Sequence, residues 1–221
     1  MTTTWRTTLA ALFAASLALG CGEPADQPTA GIAKAQAKPT AGALQLGAKL
    51  PDFTLPDYFT GKPFRLADAI DGKTYVCVIW HSPACPCAHN CATAIAAELT
   101  REKYPDLRII GVTSDAFGDY DWFKNDLRQQ IDDGVVTFPV LLDKDRKIME
   151  LYGPQRTPTV WLADKEGIIR FWGAPENTIT PGGSDYEFLL KNALDDLRAG
   201  RPVQVPSFPP IGCLIETSAG G

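Results

Sequence analysis

The sequence lacks three features that would have placed the protein in a broad class at once. It has no block of basic residues, and its 26 acidic residues outnumber 21 lysines and arginines, giving a formal charge of −5. This balance argues against a nucleic-acid-binding surface. The apolar run over residues 9–19 is too short to span a bilayer as a helix. No internal repeat is present, which excludes a repeat architecture. The composition is that of an acidic globular protein.

The N-terminal segment has the pattern of an export signal. A single positive charge precedes the short apolar run, which ends in Ala18-Leu19-Gly20-Cys21. This ending resembles the lipobox of bacterial lipoproteins, in which the cysteine is acylated and becomes the mature N-terminus. We therefore predict a signal peptide over residues 1–20, a lipid on Cys21, and a location in the cell envelope facing the periplasm or the exterior. A plain secretory signal cleaved near Gly20 is the alternative.

Two segments of unusual composition flank a central domain. Residues 21–46 are mostly Ala, Gly, Pro, Gln and Thr, and they cannot bury enough surface to order themselves, so we predict a flexible tether. Residues 201–221 contain four prolines, which predicts an extended tail. That tail carries too many apolar residues to stay free in solvent, and we expect it to dock on the domain. Residues 47–200 fit one domain of ordinary size.

The hydrophobic pattern of the central domain alternates between strands and helices. The continuous apolar run over 74–80 predicts a strand buried on both faces of a sheet. Further strands are predicted at 106–115, at 138–143, and in a hairpin around Lys165-Glu166-Gly167. Helices are predicted to follow position 86, to cover 118–131 and 146–153, and to begin at a capping box over Ser184–Glu187. This order predicts an α/β fold with a mixed central sheet, helices on both faces, and a terminal hairpin plus helix.

The chain has six cysteines, and their number is informative. If Cys21 is acylated, five remain, and an odd number in an exported protein implies a free thiol or an intermolecular bond. Cys77 lies within the apolar strand, so we predict a buried core residue. The candidates for chemistry are Cys85, Cys87, Cys91 and Cys213.

Three of these cysteines and both histidines of the chain lie in HSPACPCAHNCA, residues 81–92. Pro86 suits the first turn of a helix, so Cys85 would lie at a helix N-terminus, where free N–H groups and the helix dipole favour the thiolate. The thiolate is the attacking species, and we predict Cys85 as a nucleophile. Cys87 and Cys91 are four residues apart and would share a helix face, so either could resolve a bond formed at Cys85.

Other interpretations of this stretch stay open. Cys87 and Cys91 could bind a metal with His89 or Cys85, and this Cys-X3-Cys spacing resembles copper-delivery proteins of cytochrome oxidase assembly. Those proteins add a later histidine, and no histidine follows His89 here. A structural disulfide from Cys87 or Cys91 to Cys213 is the third possibility. A separate question concerns His81, which could tune the site or shuttle a proton, or could simply be exposed.

The ordered set of motifs resembles the thioredoxin fold. A strand ending at Trp80, then Cys85-Pro86, then a helix is the layout of its reactive site, and Thr157-Pro158 before a strand looks like its cis-proline. FPVLLDKDRKIMELYG and TVWLADKEGIIRFWG resemble the redoxin branch, the alkyl hydroperoxide reductase and thiol-specific antioxidant family. The resemblance covers residues 47–173. It implies a thioredoxin-like thiol oxidoreductase without a cofactor, with Pro158 in the site and a peroxide or a redox partner protein as substrate.

The tail adds to this resemblance, while other positions depart from it. FPPIGCLIE, residues 208–216, looks like the C-terminal glycine-cysteine segment of some redoxin-like proteins, which implies Cys213 as a resolving thiol. Cys85 has no cysteine three residues later, as thioredoxins have. Typical peroxiredoxins carry a hydroxyl three residues before the reactive cysteine, which Ser82 supplies, and a proline seven before, where this chain has Val78. Their arginine would fall close to Arg156.

Overall fold

The computed structural model describes residues 44–179 and 182–217. The predicted signal peptide over 1–20, the lipid site Cys21 and nearly all of the tether over 21–46 lie outside the described residues. Across the described ranges, no helix combines the length and the apolar character that crossing a bilayer requires.

The described chain forms ten strands and four α-helices. In chain order the strands are β1 Thr54–Pro56, β2 Pro63–Arg65, β3 Tyr75–Trp80, β4 Leu107–Thr113, β5 Val140–Leu142, β6 Arg156–Thr157, β7 Thr159–Ala163, β8 Ile169–Gly173, β9 Ser207–Phe208 and β10 Cys213–Leu214. The helices are α1 Pro86–Glu98, α2 Asp121–Asp132, α3 Lys147–Tyr152 and α4 Leu189–Arg198, with a 3-10 turn at Leu66–Ala69.

A six-stranded mixed sheet is the centre of the fold, in the order β5-β4-β3-β7-β8-β9. β3, β4 and β5 run parallel to one another, and β7 pairs antiparallel with both β3 and β8. The predicted hairpin around Lys165-Glu166-Gly167 is therefore confirmed as β7 and β8. The predicted α/β fold with a mixed central sheet is confirmed as well.

Strand β3 divides the hydrophobic core into two layers. Alternate residues Tyr75, Cys77 and Ile79 pack on one face of the sheet, against α1, α2 and α4. Val76, Val78 and Trp80 pack on the other face, against α3 and the N-terminal hairpin of β1 and β2. Every residue of β3 is buried, as the continuous apolar run predicted, and Cys77 is a core residue.

A buried hydrogen-bond network fixes the carboxyl ends of the parallel strands. The Trp80 indole N–H donates to Ser114 Oγ at 3.1 Å, and the Ser114 hydroxyl donates to Asp143 Oδ2 at 2.9 Å. The Asp143 carboxylate also accepts the backbone N–H groups of Ile148 and Met149 in the first turn of α3. Since the reactive loop leaves the sheet at Trp80, this network holds the place where the loop begins.

The structure corrects two predicted helix details. The predicted capping box at Ser184–Glu187 is wrong, because α4 begins at Leu189 and no side chain caps it. The Asn177 side chain instead binds the backbone of Asp185 and Glu187, and residues 184–185 form a turn. The helix predicted over 118–131 is present as α2 but begins three residues later, at Asp121.

The C-terminal tail docks on the domain and contributes two short strands. β9 pairs with β8 and extends the central sheet by one edge strand. β10 pairs antiparallel with β6, and the Ala116 N–H donates to the Glu216 carbonyl just beyond it. The tail therefore runs along the sheet edge and then crosses to the end of the sheet from which α1 begins.

Candidate thiol redox site

Cys85 occupies the N-cap position of α1, and its side chain accepts a hydrogen bond from the helix. The backbone N–H of Ala88 donates to Cys85 Sγ at a donor–acceptor distance of 3.4 Å, and Pro86 occupies the first helical position. The predicted helix start is confirmed. The sulfur therefore lies where free N–H groups of the helix concentrate positive potential. Only 2% of the Cys85 surface is exposed.

The segment before β7 forms the opposite wall of the site. The Thr157 carbonyl oxygen lies 3.1 Å from Cys85 Sγ, and the Thr157–Pro158 peptide bond is cis. The antiparallel register of β7 with β3 pairs Thr159 with Trp80, which places this segment beside the reactive loop. Pro158 thus lies next to the cysteine, in the arrangement that the resemblance implied.

The tail brings a second sulfur to Cys85. In the β10–β6 pair Cys213 is opposite Thr157, and its Sγ is 2.6 Å from Cys85 Sγ. The Arg156 guanidinium donates to the Gly212 carbonyl at 2.6 Å and so holds the tail in place. Gly212 has φ +123°, and a Cβ there would collide with the Thr157 carbonyl oxygen, so only glycine allows this approach.

Three of the four candidate cysteines form one cluster. The sulfurs of Cys85, Cys87 and Cys213 all lie within 4.8 Å of one another. Cys91 is not part of this cluster, because it is fully buried in the hydrophobic layer beneath α1. Of the two cysteines predicted to share a helix face, Cys87 faces the tail within reach of Cys85, whereas Cys91 faces the sheet.

The environment separates the thiols by their acidity. Burial raises the pKa of Cys85, but hydrogen bonds outweigh it, among them those from the Cys213 thiol and the Ala88 N–H, so its pKa lies below the ordinary value. Burial and the hydrogen bond to Cys85 raise the pKa of Cys213 to about 12. Burial raises the pKa of Cys87, and it raises that of Cys91 well above the ordinary value. Cys85 is the one thiol of the four whose thiolate the site favours.

His81 is fully buried behind the reactive loop, so the alternative of an exposed loop histidine is wrong. Its ring packs edge-on against Phe138 with the centroids 5.9 Å apart, and neither ring nitrogen meets hydrogen-bond geometry with a partner. Burial lowers its pKa to about 4, and the nearby Gln130 amide opposes this only in part. The ring is neutral at pH 7 and has no direct access to solvent.

Several residues near the site carried no signal in the sequence. Gln130 of α2 donates to the Pro83 carbonyl at 3.0 Å and so holds the reactive loop from behind. The half-buried Asp115 carboxylate accepts a hydrogen bond from the Glu216 N–H in the tail; burial raises its pKa, and the nearby Ser82 hydroxyl opposes this in part. Glu176 lines a small groove beside the site. These three residues lie in or just after regular helices and strands, and no sequence motif marks them as parts of a site.

The carboxyl group of Glu176 provides a test of the electrostatics beside the site. Glu176 is 5% exposed, burial raises its pKa, and the Tyr186 hydroxyl donates to it at 2.7 Å. An acid with a raised folded-state pKa stabilises the fold below its unfolded-state pKa, and that stability is lost as the pH rises through the folded-state pKa. We expect Glu176→Gln to have a higher free energy of unfolding than wild type at pH 7.5, by on the order of 1 kcal/mol.

Urea unfolding at pH 4.5 and pH 7.5 measures this effect. The advantage of Glu176→Gln over wild type should grow with pH, while the exposed control Glu187→Gln should show no such trend. A Glu176→Gln protein that is less stable than wild type at both pH values contradicts a buried charge at this position.

The family follows from comparison with known proteins. The family model described as "AhpC/TSA family" matches residues 46–172, more than half of the chain. The chain belongs to the AhpC/TSA family. The predicted membership of the redoxin branch, the thioredoxin-like fold and the class of thiol oxidoreductase are thereby confirmed, and such an enzyme requires a redox partner or substrate.

Individual relatives agree with this assignment. "Thiol-disulfide oxidoreductase ResA" from Bacillus thuringiensis (strain Al Hakam) is 30% identical to this AhpC/TSA protein over 126 residues, which are 57% of this chain and 68% of ResA. A hypothetical protein from Sinorhizobium meliloti 1021 superposes with a TM-score of 0.68 at 25% identity, covering 80% of this chain and 97% of its own. An uncharacterized conserved protein from Geobacillus kaustophilus has the same TM-score at 20% identity, covering 80% and 94%, and shares the fold.

Proposed function

We propose that the protein is an extracytoplasmic thiol-disulfide exchange enzyme in which Cys85 is the nucleophile and Cys213 the resolving thiol. The observation that carries this proposal is the 2.6 Å separation of the two sulfurs, one at a helix N-terminus and one on the tail. Pro158, beside them, contributes to the wall against which a partner chain would lie.

The proposed reaction transfers two electrons from the enzyme to a partner disulfide. The Cys85 thiolate attacks one sulfur of that disulfide, forms a mixed disulfide and releases one partner thiolate. The Cys213 thiol then loses its proton and attacks Cys85 Sγ, which releases the second partner thiolate. The enzyme is left with a Cys85–Cys213 disulfide, which an external dithiol reduces again.

Access to the buried Cys85 requires the tail to move outward. Strand β10 has two residues and pairs with the two-residue β6, so its displacement breaks a short ladder together with the bonds of the tail to Arg156, Gln155 and Ala116. The Cys213 side chain is itself partly exposed and marks the side from which a partner would approach. The proposed site is therefore closed by the resolving cysteine and opens when the tail shifts.

Three features favour a protein disulfide over a peroxide as the substrate. The Arg156 guanidinium, near where a peroxiredoxin arginine would fall, is bonded to the Gly212 carbonyl. The Ser82 hydroxyl lies near the Asp115 carboxylate. The relative at 30% identity is named for thiol-disulfide oxidoreduction. With one guanidinium N–H engaged by the tail and Ser82 beside a carboxylate, fewer donors face the sulfur to stabilise the charge that develops when a peroxide bond breaks.

Parallel assays on the same preparation test the choice of substrate. With dithiothreitol as electron donor, we expect the protein to accelerate the reduction of insulin disulfides well above the uncatalysed rate. Hydrogen peroxide consumption under the same conditions should stay close to the background rate. Rapid peroxide turnover with no acceleration of insulin reduction would assign a peroxidase instead.

The proposed location rests on Ala18-Leu19-Gly20-Cys21, which resembles a lipobox. We propose that the mature chain is anchored by a lipid on Cys21 to a bacterial membrane. Wild-type protein expressed in a bacterial host should incorporate labelled palmitate and sediment with membranes, and Cys21→Ala should do neither. A wild-type chain that is exported without label would instead have an ordinary secretory signal.

A further inference from the structure

The sulfur cluster has a property that disulfide exchange does not use. Exchange through Cys85 and Cys213 needs two thiols, but a third sulfur, that of Cys87, lies within 4.8 Å of both. The three side chains come from two parts of the chain, the first turn of α1 and strand β10. No histidine, aspartate or glutamate belongs to this group, so its ligand atoms are all soft sulfurs.

We propose that the reduced protein binds one Cu(I) ion through the thiolates of Cys85, Cys87 and Cys213. The proposal names a ligand set different from the Cys87–Cys91 pair that the sequence suggested, since Cys91 is buried in the core and outside the cluster. It does not depend on catalytic turnover, because a thiol cluster can bind an ion whether or not it exchanges disulfides.

The ligand chemistry decides between metal ions. Thiolates are soft ligands that select Cu(I), Zn(II) and iron–sulfur clusters, and they are poor ligands for magnesium or calcium. Zinc sites are almost always tetrahedral, so zinc bound by these three sulfurs would need a water or another ligand in its fourth position. Cu(I) readily accepts two or three ligands, so a site of three sulfurs fits it without a further side chain.

The surroundings can accommodate the charge and the entry of an ion. Three thiolates around one Cu(I) ion carry a net charge of about −2, and the N-terminus of α1 offers free N–H groups to offset it. Cys87 and Cys213 are partly exposed, so an ion reaches the cluster from solvent, whereas Cys85 lies beneath them. The sulfurs of Cys85 and Cys213, 2.6 Å apart without an ion, must move apart to bind one ion together.

Binding of Cu(I) involves no electron transfer, and only protons are exchanged with solvent. Each thiol that is still protonated releases its proton to solvent when its sulfur binds the ion, so affinity rises with pH. A Cys85–Cys213 disulfide removes two of the three ligands. The bound ion and the disulfide are therefore mutually exclusive, and oxidation releases copper.

The experiment titrates the anaerobically reduced full chain with Cu(I) in competition with a chromophoric Cu(I) chelator. We expect one ion per chain and three sulfur neighbours in the X-ray absorption spectrum. Cys85→Ser, Cys87→Ser and Cys213→Ser should each weaken binding at least about tenfold, because each removes one of three ligands. Cys91→Ala and Cys77→Ala are the matched controls and should keep wild-type affinity. Circular dichroism confirms that each variant is folded.

Each alternative result overturns the proposal. If Cys91→Ala weakens binding as much as Cys87→Ser, the Cys-X3-Cys pair is the site. If Cys213→Ser binds like wild type, the tail is not a ligand. Chains oxidised beforehand must not bind, and binding that survives oxidation places the ion elsewhere. Insulin reduction measured without copper keeps a failure here distinct from a failure of the proposed exchange activity.

Discussion

We expect Cys85→Ser to abolish insulin reduction, with a residual rate at least about a thousandfold below wild type. A serine hydroxyl is essentially un-ionised at neutral pH and cannot form a disulfide, so neither the attack nor the mixed disulfide is possible. The helix N–H that donates to the sulfur would then face a neutral oxygen. The initial rate of insulin reduction with dithiothreitol measures the loss.

The matched control for this variant is Cys77→Ala, which also removes a sulfur from a buried position. Cys77 lies in β3 on the face of the sheet that packs against α1, without contact to the cluster of three sulfurs. We expect it to lower stability modestly and to leave the rate of insulin reduction unchanged. Equal loss of activity in both variants would show that the rate follows stability, and Cys85 would lose its proposed role.

Gly212→Ala separates the two proposed catalytic sulfurs without touching either. A Cβ at this position would collide with the Thr157 carbonyl oxygen and would lie 3.3 Å from Pro158 Cδ, while φ +123° is itself unfavourable for alanine. The tail must therefore shift away from β6 and carry Cys213 with it. We expect insulin reduction to fall by about 10- to 100-fold, the scale on which misplacement of about 1 Å affects catalysis.

A second readout distinguishes displacement of the tail from unfolding. Iodoacetamide should modify Cys85 faster in Gly212→Ala than in wild type, because the covering sulfur has moved. Gly72→Ala is the control, since Gly72 also has a positive φ, +74°, but no atom within 4 Å of a Cβ. Slower modification of Cys85 in Gly212→Ala, or full activity, would contradict a tail held by this close approach.

The sequence predicted the reactive half of the site because its signals are local. A continuous apolar run predicts that β3 is buried on both faces, and proline in the first helical turn predicts the start of α1. The position of Cys85 therefore follows from neighbouring residues. The approach of Cys213 did not follow from spacing. It came from a resemblance of the tail, because pairing between β10 and β6 joins residues far apart in sequence.

Other features depend on contacts that the sequence does not display. A four-residue spacing predicts two cysteines near one helix face, but Cys87 lies in the first turn beside the tail, whereas Cys91 lies one turn further along the helix, against the core. The capping-box pattern at Ser184 is not used, because the Asn177 side chain binds the backbone of that segment. Asn177 lies eight positions before Asp185, so no local pattern indicates this contact. Gln130 supports the reactive loop through a hydrogen bond that no sequence motif predicts.

Mapping of the disulfide in the oxidised wild-type chain tests the pairing of Cys85 with Cys213 most directly. The chain is oxidised with a chelator present, its free thiols are alkylated, and tryptic peptides are sequenced by mass spectrometry. Residues 74–101 form one such peptide with four cysteines, so fragmentation must locate the bond within it. We expect a bond from Cys85 to Cys213, with Cys77 and Cys91 alkylated after unfolding. A bond within this peptide, with Cys213 alkylated, would contradict the resolving role of the tail.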